Sequence, residues 1–506
     1  MAQWVKIPEN LDIDTILISA EIKANTHTGD KIAVFCHMLH LTSCNHRDLY
    51  EKNDRPYFPL NSKILQYYIK DYFAIETLLI QSKVIEKQPE KYKIGHKSYY
   101  FRFSVKYYGV KYKQYDVQFN GLHNKLMKYN QKDPLPDYPN TKPYVFLKKF
   151  WKNGKLKMDV TGALQWIDTT YQIELNEIEI KYEGIKPTNK TKSKLKNKEL
   201  KKLIEKTEIW KTSVENFNLK RILFTADDFS KRLHTKLTNL KKELRAYVTY
   251  DGKPLVSLDI KNSQPYLSLV LFNENFWRER SKSGQTTLLY NEVGLSKINK
   301  DIVNNNYDTI KLAKTSESLA GKGFEFDIFC ELASTGKIYD YLIDQFKDYG
   351  MDYDRDMVKR QFLIFLYHNP IELYKSTEGY ASINLITDLF PNISKLFLQL
   401  KELGSFHYEP PEYKENYTPK YQFPYHPLTA KESFKFPPQL LQRIESYLVI
   451  EVVCKQLNKG NKDIPLFTIH DSIVTTTEFA NLVKDKMIFE LKKAIGFEPK
   501  IKIEGY

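Results

Sequence analysis

The chain of 506 residues has few cysteines and no long apolar run. Its four cysteines show no CxxC spacing, so the sequence predicts reduced thiols and argues against a disulfide framework. No stretch reaches the roughly 18 apolar residues of a membrane-spanning helix, and Met1 to Asp14 lacks the apolar core of a signal peptide. We therefore expect a cytoplasmic protein with no membrane partner.

One local cluster holds side chains of the types that bind zinc, namely Cys36, His37, His40, Cys44 and His46. The stretch from Cys36 to His40 has the apolar pattern of a helix, and no second ligand pair follows at zinc-finger spacing. The sequence therefore favours a packed helix over a metal site here.

Basic residues are in excess, with 77 Lys and Arg against 62 Asp and Glu, a net charge of +15. The chain also contains 36 Tyr and 29 Phe, interleaved with Lys and Asn. Such a composition suits a polyanionic partner and stacking on bases. An AT-rich coding bias would produce the same enrichment, so composition alone does not decide the function.

Two aspartates follow apolar runs that predict buried strands, Leu255–Asp259 and Leu466–Asp471. If the two strands are neighbours in one sheet, both carboxylates can hold Mg²⁺ beside a nucleoside triphosphate. Pairs of Mg²⁺ ions held by carboxylates are the usual machinery of phosphoryl transfer. A lone buried Asp at a strand end is more often a turn or cap residue, so the pair needs further support.

That support lies between the two aspartates. Arg355, Lys359, Leu363 and Tyr367 recur every four residues, which places them on one stripe of a predicted helix. Two cations and an aromatic ring on one stripe suit a triphosphate and a base pair. The alternative is an amphipathic helix with Leu363, Phe365 and Tyr367 in a core and both cations in solvent.

The three segments, in this order, resemble motifs A, B and C of the family A DNA polymerases and the related single-subunit RNA polymerases. Val256–Asp259 resembles the metal-binding strand of motif A, the stripe resembles the nucleotide-binding finger helix, and His470-Asp471 resembles motif C. The resemblance covers the chain from about Arg232 to the C-terminus. Smaller matches are Arg232-Leu233 with Asn239-Leu240, Asp327-Ile328 with Ala333, Phe390-Pro391, and Gln442 on the helix before motif C.

The resemblance implies an α+β multidomain protein with a right-hand polymerase fold, in which an antiparallel palm carries mostly helical fingers and thumb. It implies that Asp259 and Asp471 bind two Mg²⁺ ions, with Mn²⁺ as a substitute. Arg355 and Lys359 would clamp the triphosphate, and Lys359 would protonate or stabilise the leaving pyrophosphate.

The remaining roles implied by the resemblance concern the DNA. Arg232 would contact the primer-terminal pair, and Tyr367 would check the nascent base pair. His470 would hold the primer backbone, and Gln442 would be a further substrate-binding residue. The implied partners are a DNA primer–template and nucleoside triphosphates, while the oligomeric state stays open.

Four positions depart from the DNA polymerase pattern. Leu363 stands where most DNA polymerases have an aromatic residue, and His368 stands where they have Gly. Motif C continues with Ser472, as in single-subunit RNA polymerases, instead of Glu. Gln264 aligns with the Glu that helps to exclude ribonucleotides, unless a gap falls within residues 260–263. Gln keeps the size and an acceptor oxygen but loses the charge, so the sugar preference stays open.

Before the polymerase-like part, two regions are expected. Residues 1–106 read as three helices and a basic hairpin, with helices predicted at Lys31–Leu41, Lys63–Tyr72 and Ile75–Ser82. This order resembles a winged helix-turn-helix domain, as in plasmid replication initiators, which would read origin DNA. The alternative is a helical cap without a DNA role.

Residues 107–221 are predicted to be a linker or thumb-like region, and residues 222–506 the palm and fingers. The linker region holds nine lysines in Lys186–Lys206, a pattern typical of a solvated linker or helix surface. The chain contains no Asp-x-Glu, the metal motif of family A proofreading exonucleases, so we expect no proofreading.

The sequence thus predicts a template-directed nucleotidyltransferase, most simply a DNA polymerase without proofreading, for replication of a phage, plasmid or mobile element. The first alternative is a single-subunit RNA polymerase or primase-like enzyme. The second is a non-catalytic DNA-binding replication initiator. The second is disfavoured because Arg232, Asp259, Arg355, Lys359 and Asp471 are all present, and buried charges without ligands are costly.

Overall fold

The computed structural model describes residues 4–22, 26–45, 55–89, 99–131, 144–183, 190–219, 224–227, 229–273, 325–367, 377–391, 393–394, 397, 401 and 436–506. Within these residues helices and strands are mixed, and the strand pairings are antiparallel. The expected α+β class is confirmed at this level. No helix in the described part of the chain is both long and apolar enough to cross a membrane.

The helices and strands are numbered in chain order. The helices are α1 Ile13–Ser19, α2 Thr26–Asn45, α3 Ser62–Tyr68, α4 Tyr72–Gln81, α5 Asn120–Gln131, α6 Val145–Lys152, α7 Val160–Lys181, α8 Lys190–Glu215, α9 Lys236–Asn239, α10 Ser263–Ser268, α11 Glu325–Thr335, α12 Ile338–Asp348, α13 Arg355–Tyr367, α14 Thr377–Leu389, α15 Phe436–Ser446, α16 Lys455–Gly460 and α17 Ala480–Ile495. The strands are β1 Trp4–Pro8, β2 Phe58–Leu60, β3 Ile85–Lys87, β4 Tyr99–Phe103, β5 Tyr112–Asp116, β6 Leu156–Met158, β7 Phe224–Ala226, β8 Leu233–Thr235, β9 Val248–Tyr250, β10 Lys253–Ile260, β11 Phe467–Ile469, β12 Ser472–Thr476 and β13 Ile501–Gly505.

The chain divides into two compact units. Unit 1 consists of Met1–Tyr138, Trp151–Phe224 and Thr235–Gly252, and unit 2 of Pro139–Phe150, Thr225–His234 and Lys253–Tyr506. The boundaries predicted at residues 106 and 221 stay predictions.

In the first part of unit 1, α1 is followed by three helices and a small sheet. Helices α2, α3 and α4 precede strands β3 and β4, and β2 joins them in the order β2-β4-β3. Asn61 caps α3 by accepting hydrogen bonds from the backbone of Lys63 and Ile64. The predicted helix Lys63–Tyr72 was too long, because the backbone is extended at Ile69 and α4 starts at Tyr72. The predicted basic hairpin tip, residues 91–97, lies outside the described residues.

The zinc-ligand types of unit 1 are packed as core residues. Cys36 and His40 are 0% exposed and Cys44 is 6% exposed. Burial raises the pKa of the Cys36 thiol to about 12 and lowers the pKa of His40 well below its usual range. No group of three or more metal-ligating side chains is found among the described residues. The helical interpretation of this stretch agrees with α2, and His46 lies outside the described residues.

The lysine-rich segment of unit 1 forms much of helix α8, which packs against α7. Ion pairs link the two helices at Lys181–Glu199 (2.7 Å), Lys211–Asp168 (2.8 Å) and Lys206–Glu174. The order of these pairs shows that the helices run antiparallel. Acidic groups of α7 thus neutralise some of the α8 lysines.

The sheet of unit 2 has β10 between β12 and β13, with β11 on the far side of β12. Buried apolar side chains line β10 at Leu255, Val256, Leu258 and Ile260, as expected for a central strand. Helix α17 packs on β10, β12 and β13, which covers one face of this sheet.

The other helices of unit 2 surround α13. Helix α13 packs against α12, α14 and α15 and buries Val358, Phe362, Phe365 and Leu366. It spans Arg355–Tyr367 and so contains the whole predicted stripe. Asp354 stabilises its start, because Oδ1 accepts a hydrogen bond from the backbone N–H of Met357 at 2.7 Å.

Candidate active site

The two predicted aspartates come together at one end of the unit 2 sheet. In the antiparallel pairing of β10 and β12, Asp259 lies opposite Ser472. Asp471 precedes Ser472 directly, in the two-residue turn that joins β11 to β12. Both aspartates are half-buried. The expectation that their strands are neighbours is confirmed.

Backbone conformations of high energy flank the site. Six non-glycine residues of the described chain have a left-handed φ, and three of them adjoin predicted site residues. They are His470 (φ 55°) before Asp471, Asn262 (φ 53°) between Asp259 and Gln264, and Lys231 (φ 58°) before Arg232. Such conformations are uncommon for L-residues and concentrate at functional sites.

Arg232 is held by a buried glutamate that the sequence analysis missed. Its Nε and Nη2 donate to the two carboxylate oxygens of Glu445 at 2.7 and 2.8 Å. Glu445 lies on α15 with a side chain that is 0% exposed. Burial raises the pKa of Glu445 to about 7, although the hydrogen bonds from Arg232 oppose that rise.

Gln264 and Tyr367 extend this arrangement. Gln264, in the first turn of α10, donates from Nε2 to Oε2 of Glu445 at 2.8 Å. The Tyr367 hydroxyl, at the end of α13, donates to Oε1 of Gln264. Burial raises the pKa of Tyr367 well above its ordinary value, so the phenol stays protonated and can donate. We call Arg232, Glu445, Gln264 and Tyr367 the polar chain.

A short loop in unit 2 positions Arg232. Asp227 accepts hydrogen bonds from the backbone N–H and hydroxyl of Ser230 at 2.5 Å each, and from His234 Nε2 at 3.0 Å. Burial alone would raise the pKa of Asp227, but these hydrogen bonds lower it to about 2. The Asp227 carboxylate therefore holds Ser230 and His234, which lie on either side of Arg232 in the sequence.

The predicted stripe of α13 lies on the less buried side of the helix. Arg355 and Lys359 are exposed, and Leu363 and Tyr367 are half-buried. Arg355 forms an ion pair with Asp340. Its Nη2 lies 3.5 Å from Oδ1 of Asn262, a residue between Asp259 and Gln264 in the sequence. The alternative of an amphipathic helix is met at Phe365, which is buried, and at the two exposed cations, whereas Leu363 and Tyr367 are only half-buried.

Not every predicted residue joins the polar chain. His470 is exposed in the turn beside Asp471, and Gln442 is half-buried on α15, one turn before Glu445. Gln442 makes none of the hydrogen bonds of the polar chain, so its predicted role stays a prediction. His368 lies outside the described residues.

A detectable signal for Glu445 existed, because it is a charged residue among the apolar positions Leu441, Ile444 and Leu448 of one helix face.

The donor set suits a hard cation. Burial lowers the pKa of the Arg232 guanidinium, but Glu445, Asp471 and Asp227 together outweigh that effect and raise it. Asp259 and Asp471 lie at the same end of the sheet, since Asp259 is opposite Ser472. Mg²⁺ is usually held by one or two carboxylates, with water and substrate phosphates completing its coordination. Asp259 and Asp471 therefore fit Mg²⁺ without a third protein ligand.

No family model and no curated protein matches this chain. Among solved structures it is similar to the POL domain of Pol1 from M. smegmatis, in complex with DNA primer-template and dNTP. The TM-score is 0.34 and the sequence identity 9%, over 71% of this chain and 69% of the other. A likeness of this size carries no argument, so the function is argued from the geometry of the site.

Proposed function

We propose that this chain is a template-directed nucleotidyltransferase, and specifically a DNA polymerase without proofreading that replicates a phage, plasmid or mobile element. The observation that carries the proposal is the juxtaposition of Asp259 and Asp471 at one end of β10 and β12. These two carboxylates would hold Mg²⁺, which when bound lowers the pKa of the attacking hydroxyl and offsets charge on the pyrophosphate.

The protein groups around the aspartates suit the rest of the substrate. Lys359 is exposed and has no ion-pair partner among the described residues, so it is available to a triphosphate. Arg355, on the same side of α13, would exchange Asp340 for phosphate oxygens. Arg232 and Tyr367 would contact the primer-terminal and nascent base pairs, and His470 the primer backbone.

The choice between DNA and RNA synthesis depends on the sugar site. Ser472 does not favour RNA synthesis, because its side chain is buried and its hydroxyl donates to the carbonyl of Ile469 at 2.8 Å. Its role in the turn is therefore structural. Gln264 is fixed by Glu445 and Tyr367. In the ungapped alignment it would take the place of the Glu with which DNA polymerases exclude ribose, and a fixed, bulky side chain there would favour deoxynucleotides.

The test is primer extension on a DNA template with Mg²⁺, comparing dNTPs with NTPs. We expect extension with dNTPs, and little extension with NTPs. Extension with NTPs alone would identify an RNA polymerase or primase-like enzyme. Absence of extension with both, in Mg²⁺ and in Mn²⁺, together with tight duplex binding, would favour the non-catalytic initiator.

We also propose that the first part of unit 1 is a winged helix-turn-helix domain that binds origin DNA. The support is the element order α2-β2-α3-α4-β3-β4 with strand order β2-β4-β3. The outward side chains of α4, Phe73, Thr77 and Ile80, carry no charge, whereas α3 exposes Lys63 and Tyr67. Helix α3 is therefore better suited to phosphates than α4.

Duplex binding by Lys63→Glu tests this second proposal. We expect a several-fold loss of affinity at low salt, measured by fluorescence anisotropy, and no loss for Lys83→Glu, an exposed lysine in the turn after α4. Equal affinities for the two variants would contradict it.

A further inference from the structure

We propose that Glu445 is a positioning residue of the candidate active site, which acts through Arg232 and Gln264 to fix the groups that meet the primer terminus and the incoming sugar. This inference rests on the proposed polymerase function and deepens it. It concerns sugar selection, because Gln264 is the residue at the sugar.

The position of Glu445 is unusual for a charged side chain. It is fully buried on α15 between apolar side chains, and it uses both carboxylate oxygens. Oε1 accepts one hydrogen bond from Arg232, and Oε2 accepts one from Arg232 and one from Gln264. Burial of a carboxylate costs several kcal/mol, and a buried ion pair adds little net stability. We infer that Glu445 serves to fix the orientations of Arg232 and Gln264 rather than to add stability.

The first effect of Glu445 is on the guanidinium of Arg232. Two parallel hydrogen bonds from Nε and Nη2 fix the plane of the group, as bidentate pairs do. Nη1 makes no hydrogen bond to the described protein, and the side chain is 21% exposed. The remaining edge of the guanidinium is thereby presented in one orientation.

The second effect is on the amide of Gln264. An amide can point its oxygen and nitrogen either way, and only the hydrogen-bond partners decide between the two orientations. Arg232 already donates to both oxygens of Glu445 and Tyr367 donates to Gln264, so Nε2 of Gln264 faces Glu445 and Oε1 faces Tyr367. Both polar atoms of Gln264 are engaged within the protein. The incoming sugar therefore meets a rigid side chain that neither turns nor withdraws.

Loss of Glu445 should therefore relax sugar selection in the same way as loss of Gln264. We compare kcat/KM for a dNTP and the matching NTP in wild type, Glu445→Gln, Gln264→Ala and the double variant. In Glu445→Gln we expect the ratio of dNTP to NTP to fall about tenfold, the effect of losing one charge-assisted hydrogen bond. The double variant should have the ratio of Gln264→Ala alone, because the two residues act in series.

Two further variants separate positioning from folding. Glu490→Gln makes the same substitution at a glutamate that is also largely buried and paired, with Lys486 at 2.7 Å, but lies on α17. Its ratio should equal that of wild type. Glu445→Asp keeps the charge and should fold, but it withdraws the carboxylate by one methylene group, so we expect the same fall in ratio.

The outcomes are distinguishable. A wild-type ratio in Glu445→Gln or in folded Glu445→Asp would overturn the role of Glu445 and leave the polymerase proposal standing. So would a double variant whose change is the product of the two single changes. Absence of extension by the wild-type protein would overturn the polymerase function, and this inference with it.

Discussion

Two sheets of this protein differ in how their acidic side chains are arranged. In the sheet β2-β4-β3 of unit 1, which we call the N-terminal sheet, each charge meets an opposite charge. Glu86 accepts hydrogen bonds from Arg55 at 2.7 Å and from Arg102 at 2.8 Å. Lys87 donates to Glu76 at 2.6 Å. These side chains are paired with one another within the fold, so few unpaired charges remain in this sheet to bind a ligand.

In the sheet β11-β12-β10-β13 of unit 2, which we call the aspartate sheet, two carboxylates come together at one end. Asp259 lies opposite Ser472, which directly follows Asp471. Two like charges at one place cost less free energy when a cation joins them, so we propose that this pair of aspartates serves a cationic ligand. The charges of the N-terminal sheet are paired within the fold, whereas we propose a ligand-binding role for the two aspartates.

Loss of Arg232, which directly precedes β8, should have the largest effect. Arg232→Ala leaves Glu445 buried without its ion-pair partner, which should lower the free energy of unfolding by about 3–5 kcal/mol. Incorporation should fall about 100-fold in addition. Thermal unfolding and primer extension measure the two effects. Lys459→Ala, which removes an exposed lysine of α16, is the control. Normal stability in Arg232→Ala would show that Glu445 does not need its partner.

The pH dependence of the free energy of unfolding tests whether Asp227 stabilises the loop that carries Arg232. Its folded pKa is about 2, below the ordinary value of 3.8. The ionised carboxylate therefore contributes stability above about pH 4, and this contribution is lost as the pH falls through about 2. Asp227→Asn should lower the free energy of unfolding by about 2 kcal/mol at pH 7. Near pH 2 its stability should approach that of wild type. A difference that does not change with pH would contradict the role of this carboxylate.

The N-terminal sheet should show the smallest effect. Glu86→Gln weakens the two arginine contacts, which are half-exposed, so we expect a loss of about 1 kcal/mol. Incorporation by the folded protein should not change. The measurements are the denaturant midpoint and primer extension. Lost incorporation at normal stability would show that the charges of the N-terminal sheet are functional after all.

The sequence was sufficient for elements whose pattern is local. The four-residue repeat from Arg355 to Tyr367 predicted α13, because a helix brings those positions to one side. The apolar runs before Asp259 and Asp471 predicted the strands, because buried strands need such runs. The resemblance then placed the strands together. Strand β2, only three residues long with a central proline, has too short a pattern to be recognised.

The polar chain was not predictable in the same way. Glu445 meets Arg232 from 213 positions away and Gln264 from 181 positions away, so no local pattern records the contacts. A charged side chain on a helix is normally exposed, so the sequence gives little reason to expect a buried one such as Glu445. Gln442, which the resemblance placed in the site, lies one helical turn before Glu445, and its role stays a prediction. The fold alone shows which of the two meets Arg232.

The central claim is that Asp259 and Asp471 together form the catalytic centre. Primer extension with Mg²⁺ by Asp259→Asn and Asp471→Asn tests it most directly, with Asp463→Asn, an exposed aspartate before β11, as the control. We expect at least about a 1,000-fold loss of incorporation in each site variant, with duplex affinity and Asp463→Asn near wild type. Extension at the wild-type rate by either site variant would contradict it.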